Sequence, residues 1–431
     1  MTIRDDFTVK ENAPRLLLLA FPFPPARAIG GVRCANLAKY LSRLGWQVTV
    51  VTIHPDLLAD PDPTMTDMEA WFREADVMRV WTGHGLRMFL GGYLVERWWE
   101  RWSVVRKAAS AWVRWTGMDR GIGWIRPVMK ACAHLRPGDV DIVMASGSPF
   151  ASFEAAGRLG LRLRARVVLD YRDLWNMAPH HSHPLPTRIR KREQKLVNQA
   201  AHVLAVSGPM AQCLAHAFGH AEKISVITNG FDSETFRAVV PRHFDQPTVV
   251  YAGTFYPPLR VIDPVLEAIG LVNQDGLADG RQLRLLYLGP HGEAVRKAAE
   301  ACAVMRWVDI CGRVPRSDVY AAMKGAVAVA VITSVNRTAS PEVDSILTGK
   351  LFEAMVCGAP VLLVAPEGSE AARVVTETRA GQSFVGADIE HMAAWLQQRI
   401  VGDSEAPVPD VQAYAWPEIA RRVDRLLRED A

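Results

Sequence analysis

The sequence predicts an α/β protein of two domains, each a parallel sheet covered by helices. Three observations carry this. A chain of 431 residues exceeds what one ordinary core organises and suits two domains of roughly 200 residues each. Short apolar runs of strand length recur along it, many ending in a Gly, Pro or charged turn before a stretch with helical spacing. With 49% hydrophobic and 22% charged residues the composition is that of a folded globular protein, and no apolar run approaches the ~18 residues of a membrane span.

Arg15–Ala20 (RLLLLA) reads as a buried first strand, and prolines keep the following FPFPPARAIGG extended. Gly30 and Gly31 then open an amphipathic helix with Leu37, Tyr40, Leu41 and Leu44 on one face. Paired glycines at a strand-to-helix turn either let backbone approach a ligand and offer N–H groups to an anion, or serve only a tight helix start. There is no G-x-G-x-x-G, so the nicotinamide and flavin fingerprint is missing. Residues 45–53 form a second strand, 55–75 a loop with a short helix and 76–81 a further strand.

Eight of the thirteen tryptophans then fall in 71–124 among arginines, and Leu94, Trp98, Trp102, Val105, Ala109 and Trp112 step at helical spacing. That stripe either packs on its own domain or rests on a membrane boundary, which tryptophan and arginine favour.

A strand over 141–146 is followed by one within 165–175, whose end carries Asp170, Arg172, Asp173 and Trp175. Open α/β sheets bind ligands beyond the carboxyl ends of their strands, so these side chains are candidates for chemistry; the alternative is a structural Arg172–Asp173 salt bridge. His180, His181 and His183 crowd one loop but lack the partners of a metal site. A helix over 188–201, a strand over 201–207, the helix Gly208–Phe218 and a strand over 223–228 complete the first half.

In the second half a strand over 247–252 reaches Gly253 and Thr254, then a helix over 262–272 whose first turn would offer N–H groups and a dipole to a phosphate. Strands over 283–288, 307–311 and 326–332 follow, and a polar loop leads into SILTGKLFEAMVCGAPVLLV, residues 345–364. Leu351, Phe352, Met355 and Val356 take core-facing helix positions, Gly358 ends the helix and Pro360 forbids its return before the strand PVLLV. Glu353 lies off the apolar stripe. Lys350 shares its face, either as a solvated ion pair or with both groups turned to a ligand. A strand over 380–384, a helix over 391–400 and a last helix Trp416–Arg428 close the chain, without repeats or low-complexity tracts.

The phrase T-G-K-L-F-E-A-M-x-C-G-x-P-V resembles the nucleotide-sugar motif of family 4 glycosyltransferases, retaining enzymes of GT-B architecture. In GT-B proteins two Rossmann-like domains face each other and a C-terminal helix crosses back to the first. D-x-R-D-x-W, R-x-x-x-R-E-x-K-L-V, the N-G-x-D turn of Asn229, Gly230 and Asp232, and GRVPRSDVYAAM resemble the family as well.

The resemblance implies an acceptor-binding domain over 1–230, containing the Trp/Arg-rich segment 81–124. It further implies a nucleotide-sugar-binding domain over 231–412 and a crossover helix over 413–431. It gives Glu353 the ribose hydroxyls, a task that two carboxylate oxygens suit. Gly30 and Gly31 would lie against the diphosphate and sugar. Gly253, Thr254, Arg260, Ser345 and Lys350 would complete the donor site, and Arg172 or Asp173 would stand at the sugar, so that Arg172, Asp173 and Lys350 carry the catalysis. Ser345 stands where many members have a second glutamate and Thr254 where arginine is common, while Arg260 supplies a permanent cation near the usual lysine.

On this reading a sugar passes with retention from a nucleoside-diphosphate sugar to a glycan, a lipid-linked acceptor or a small molecule. The setting is cell-surface polysaccharide or glycolipid assembly, or glycosylation of a soluble product; a GT-B epimerase or non-catalytic nucleotide-sugar binder is the other class. No cofactor or nucleic acid is expected, and no metal either, since no clear D-x-D stands at a strand end. Residues 1–230 hold 30 Lys and Arg against 20 Asp and Glu, which suits phosphates, an anionic membrane surface or merely a solvated exterior. Scattered cysteines and the lack of a secretion signal predict a cytoplasmic protein, with peripheral membrane contact through 94–115 as the open alternative.

Overall fold

The computed structural model describes residues 13–26, 29–58, 61–62, 76–81, 108, 111, 121–177, 187–277, 280–338, 340–401 and 409–429. The tryptophan stripe around 94–115 and the histidine loop at 180–184 lie outside the described residues, apart from single positions. Two compact units are present. The first comprises Met1–Ala205, Leu214–Ser225 and Ala420–Ala431, and the second Val206–Cys213 and Val226–Ile419.

In the first unit β1 (Arg15–Ala20), β2 (Gln47–Ile53), β3 (Asp76–Val80), β4 (Ile142–Gly147), β5 (Arg166–Tyr171), β6 (His202–Ala205) and β7 (Ile224–Val226) form one sheet. Their order is β3-β2-β1-β4-β5-β6-β7. From β3 to β6 the pairing is parallel, with Leu16 opposite Val48 on one side and Ile142 on the other. A central parallel strand is covered on both faces, so every position of β1 after Arg15 must be apolar, and LLLLA is buried throughout. Arg15 itself binds Asp141 (3.0 Å) and ties the start of β1 to the start of β4.

The second unit repeats the plan with β8 (Thr248–Ala252), β9 (Arg284–Leu288), β10 (Val308–Ile310), β11 (Ala328–Ile332), β12 (Val361–Val364) and β13 (Gly381–Phe384), ordered β10-β9-β8-β11-β12-β13 and parallel. Alternate residues feed two cores. Val249, Leu285, Ala328 and Leu362 face one, and Val250, Leu286, Val329 and Leu363 the other.

Both sheets reverse their winding, at β1/β4 and at β8/β11. Loops leaving the carboxyl ends of such a strand pair part in opposite directions and open a crevice. The helices Ile122–Ala131, Gly292–Ala301 and Glu370–Glu377 add to those read from sequence, and Pro341–Asp344 forms a short turn of helix in the loop before Ser345. The last helix, Trp416–Arg428, returns to the first unit from Ala420 on. There Trp46 Nε1 donates to Asp424 (2.7 Å) and Arg166 Nη2 to the Leu427 carbonyl (2.7 Å).

Candidate active site

In the second unit the carboxyl end of β8 passes into Gly253. The Gly253 N–H donates to Leu288 O (3.0 Å) and its carbonyl accepts from Tyr287 Oη (2.9 Å), so the turn is pinned to β9. A Cβ here would stand 2.6 Å from Lys350 Nζ, so a side chain would displace that amine. Lys350 comes from the first turn of the helix Gly349–Val356, whose capping Thr348 hydroxyl accepts from the Lys350 N–H (3.4 Å). Burial, then the neighbouring Arg260 cation, lower the Lys350 pKa to about 8, with Glu353 pulling the other way.

Arg260 lies over the Tyr256 ring (5.3 Å) in a small hairpin where Tyr256 and Arg260 exchange backbone hydrogen bonds of 3.0 Å. Among the described residues Lys350 Nζ has no hydrogen-bond or ion-pair partner, and Arg260 Nε is buried without one. Two cations gathered in a partly desolvated place, neither with a salt-bridge partner among the described residues, suit an anion.

The helix after Gly253 contributes less than its place in the sequence suggests. It spans Asp263–Asp275 and opens with a carboxylate and a proline, and the N–H groups of Val265 and Leu266 donate to Ile262 O. The first turn of this helix thus offers an anion little, in contrast to the cations Lys350 and Arg260. Thr254 is partly exposed, and its carbonyl accepts from Tyr251 Oη (3.3 Å).

Glu353 is 13% exposed, and its Oε1 receives Arg316 Nη2 together with Tyr320 Oη (3.2 Å), both from the helix Arg316–Gly325. Its counter-ion is thus Arg316 and not Lys350, which corrects the solvated-pair alternative. Among the described residues nothing hydrogen-bonds to Oε2, so only one carboxylate oxygen is held by protein. Ser345 is arranged differently: it is buried, its hydroxyl donates to Glu342 O (2.6 Å) and its carbonyl accepts from Ser207 Oγ (2.8 Å). Its polar atoms are spent on the shape of the loop.

The first unit holds a second cluster, at the β1/β4 switch point. A Cβ on Gly30 would lie 1.2 Å from Arg172 Nη1, and one on Gly31 would lie 3.2 Å from the Phe23 backbone. Arg172 Nη2 donates to Ser148 O just beyond β4 (2.7 Å), and its Nε is buried without a partner. Asp173 is exposed, and among the described residues it makes no bond to Arg172, so the structural salt bridge is not formed.

Beneath them Arg33 and Asp170 are 1% and 0% exposed. Arg33 Nη2 reaches Asp170 at 2.7 Å and Ser146 Oγ donates to it at 2.8 Å. This fastens the helix Ile29–Arg43 to the ends of β4 and β5.

A family model described as Glycosyltransferase Family 4 matches residues 30–235, and one described as Glycosyl transferases group 1 matches residues 246–400. The chain belongs to the family 4 glycosyltransferases. No curated protein matches this glycosyltransferase in sequence.

Among solved structures it is similar to the sucrose-phosphate synthase of Thermosynechococcus elongatus, at 16% identity over 96% of this chain and 98% of that one, with a TM-score of 0.66. It is also similar to the Anabaena protein HepE in complex with UDP and glucose, at 16% identity over 96% and 100% of the two chains, TM-score 0.60. A glycosyltransferase of Rickettsia africae follows, at 13% identity over 97% and 98%, TM-score 0.61. At these identities the likeness speaks for the fold, which is GT-B.

Sequence reading did not single out Arg316 and Tyr320, which hold Glu353, or His291, whose Nδ1 accepts from the Phe255 N–H (3.0 Å). A signal existed for each. Arg316 and Tyr320 stand four apart on one helix face, and His291 follows the carboxyl end of β9. Among the described residues no cluster of His, Cys, Asp and Glu could hold a metal ion, and no helix is long and apolar enough to cross a membrane.

Proposed function

We propose that this glycosyltransferase takes its sugar from a nucleoside-diphosphate donor. Lys350 and Arg260 hold the diphosphate, Glu353 binds the ribose and Gly253 leaves room for the phosphates. The observation that carries the reading is the pair of cations, Lys350 and Arg260, left without an anionic partner beside Gly253. HepE, of the same fold, binds UDP and glucose, which supports a nucleotide-sugar donor. The Gly30–Arg172 cluster, with Asp173, serves the transferred sugar, as the family resemblance implies.

Transfer proceeds with retention. The bond from the sugar C1 to the phosphate oxygen breaks while a bond to the acceptor oxygen forms on the same face, and the acceptor proton passes to the departing phosphate oxygen. The charge growing on that phosphate is what Lys350 and Arg260 stabilise, each by about 3 kcal/mol if they act as oxyanion donors do. No cofactor or metal enters this scheme. The acceptor is a glycan or lipid-linked glycan of cell-surface assembly, met from a cytoplasmic side; six cysteines outside any disulfide suit that reducing compartment.

Calorimetric titration of the whole chain with UDP, GDP and dTDP, followed by donor consumption with the matching sugar nucleotides, tests the reading. One nucleotide should bind and lose affinity in Lys350→Ala and Arg260→Ala. If none of the three binds, the donor assignment is wrong.

A further inference from the structure

The turn that carries Arg172 and Asp173 is gripped from behind by a residue to which no motif gives a role. Glu193 sits on the helix Thr187–Gln199, whose sequence TRIRKREQKLVNQ is strongly polar, yet Glu193 is 0% exposed. Its Oε1 accepts from the hydroxyl of Tyr171 (3.0 Å), the residue before Arg172, and the backbone N–H of Asn176 faces the same carboxyl group. One side chain thus holds the segment on both sides of Arg172 and Asp173, while its Oε2 is buried with no partner. We propose that Glu193 is a positioning residue for transfer, fixing Arg172 and Asp173 by holding Tyr171 and Asn176. The inference rests on the reading that those two side chains serve the transferred sugar.

Ionisation adds a readable consequence. Burial pushes the Glu193 pKa up to about 7, against the hydrogen bonds from Tyr171 and Asn176 and the Arg190 cation. The groups facing it are Tyr171 from β5 and Arg190 from its own helix. The helix Ala151–Leu163 alongside presents Glu154, whose charge is met by Arg192 (3.2 Å) and Arg158 (3.8 Å). The neutral carboxyl is therefore the form that fits. Between the ordinary value of 4.5 and about 7 the folded chain keeps a proton that the unfolded chain has lost, so this group's contribution to stability falls as pH rises through that window. Above it a charge sits in the core at a cost in stability, although the hydrogen bonds from Tyr171 and Asn176 favour the carboxylate.

Hydrogen exchange of the backbone amides of 172–176, read by mass spectrometry on the whole chain and corrected for intrinsic rates, tests this. Glu193→Ala should speed their exchange at least tenfold, and Glu193→Gln, of the same shape and still an acceptor, should keep it near the wild-type rate. Tyr171→Phe deletes one hold only and should give an intermediate rise, which keeps the test decisive if Glu193→Ala does not fold. Consumption of a mixture of UDP-, GDP- and dTDP-sugars should fall at least tenfold with the same variants. Unchanged exchange in both Glu193→Ala and Tyr171→Phe would overturn the positioning role. Faster exchange with undiminished consumption would instead overturn the assignment of Arg172 and Asp173 to the chemistry, and the inference with it.

Discussion

The Arg172 guanidinium lies across Gly30 so closely that Nη1 occupies the place of a side chain, 1.2 Å from where a Cβ would stand. Within a helix, replacing glycine by alanine ordinarily stabilises by about 0.5–1 kcal/mol. Here Gly30→Ala must push Arg172 off the Ser148 carbonyl. We expect sugar transfer to fall about 100-fold, the scale of an ångström's misplacement at a reacting centre, while the unfolding temperature holds or rises. Activity within a few-fold of wild type would mean that Arg172 does not act where it stands.

If Lys350 meets the donor's diphosphate as proposed, nucleotide binding depends on pH. A diphosphate selects the protonated amine, and without ligand that amine has a pKa of about 8. Near pH 7, where the amine is already largely protonated, UDP affinity should change little with pH. Above 8 it should weaken about tenfold per unit as a proton must be taken up on binding. Titrations at pH 7, 8 and 9 in two buffers of different ionisation heat would count the proton, and Lys350→Arg should abolish the dependence. Ligand-free stability runs the other way: between about 8 and the ordinary 10.5 the unfolded chain holds the proton that the folded chain lacks, so this group's contribution to stability rises with pH.

Glu353 offers one oxygen, Oε2, because Arg316 and Tyr320 hold the other. If that oxygen accepts from a ribose hydroxyl, UDP should bind about tenfold tighter than its 2′-deoxy analogue, the scale of one hydrogen bond to a charged group. Glu353→Ala should weaken UDP and leave the analogue nearly as it was. Equal affinities for both nucleotides in the wild type would remove the ribose assignment.

The strands were plain in the sequence because a parallel strand covered on both faces has no choice but to be apolar, as LLLLA and VLLV are. Gly358 was equally legible, since it takes φ +86° at the helix end that it was expected to make. Side-chain partnerships across long separations were not. Lys350 and Glu353 looked like a pair at helical spacing, but Glu353 is claimed by Arg316, 37 positions earlier, and nothing in local spacing reports that. Glu193 was hidden for a similar reason: in a basic, polar helix a buried glutamate reads as one more solvated charge until Tyr171 is seen above it.

Arg33 and Asp170 put a stability cost on one cluster. Both are buried and joined through two guanidinium nitrogens, Nε and Nη2, and Ser146 takes part of the carboxylate's remaining capacity. Removing one partner leaves a charge in the core, so Asp170→Asn or Arg33→Met should each cost about 3–5 kcal/mol. Replacing both by apolar residues of similar volume, as in Arg33→Met with Asp170→Leu, should cost less than either single change, because no charge is then stranded. Urea unfolding followed by a probe in the first unit measures all three. A double variant as unstable as the two single costs added together would show that the pair's net attraction, and not the penalty of an orphaned ion, holds the helix start of Gly30 to the strand end of Arg172.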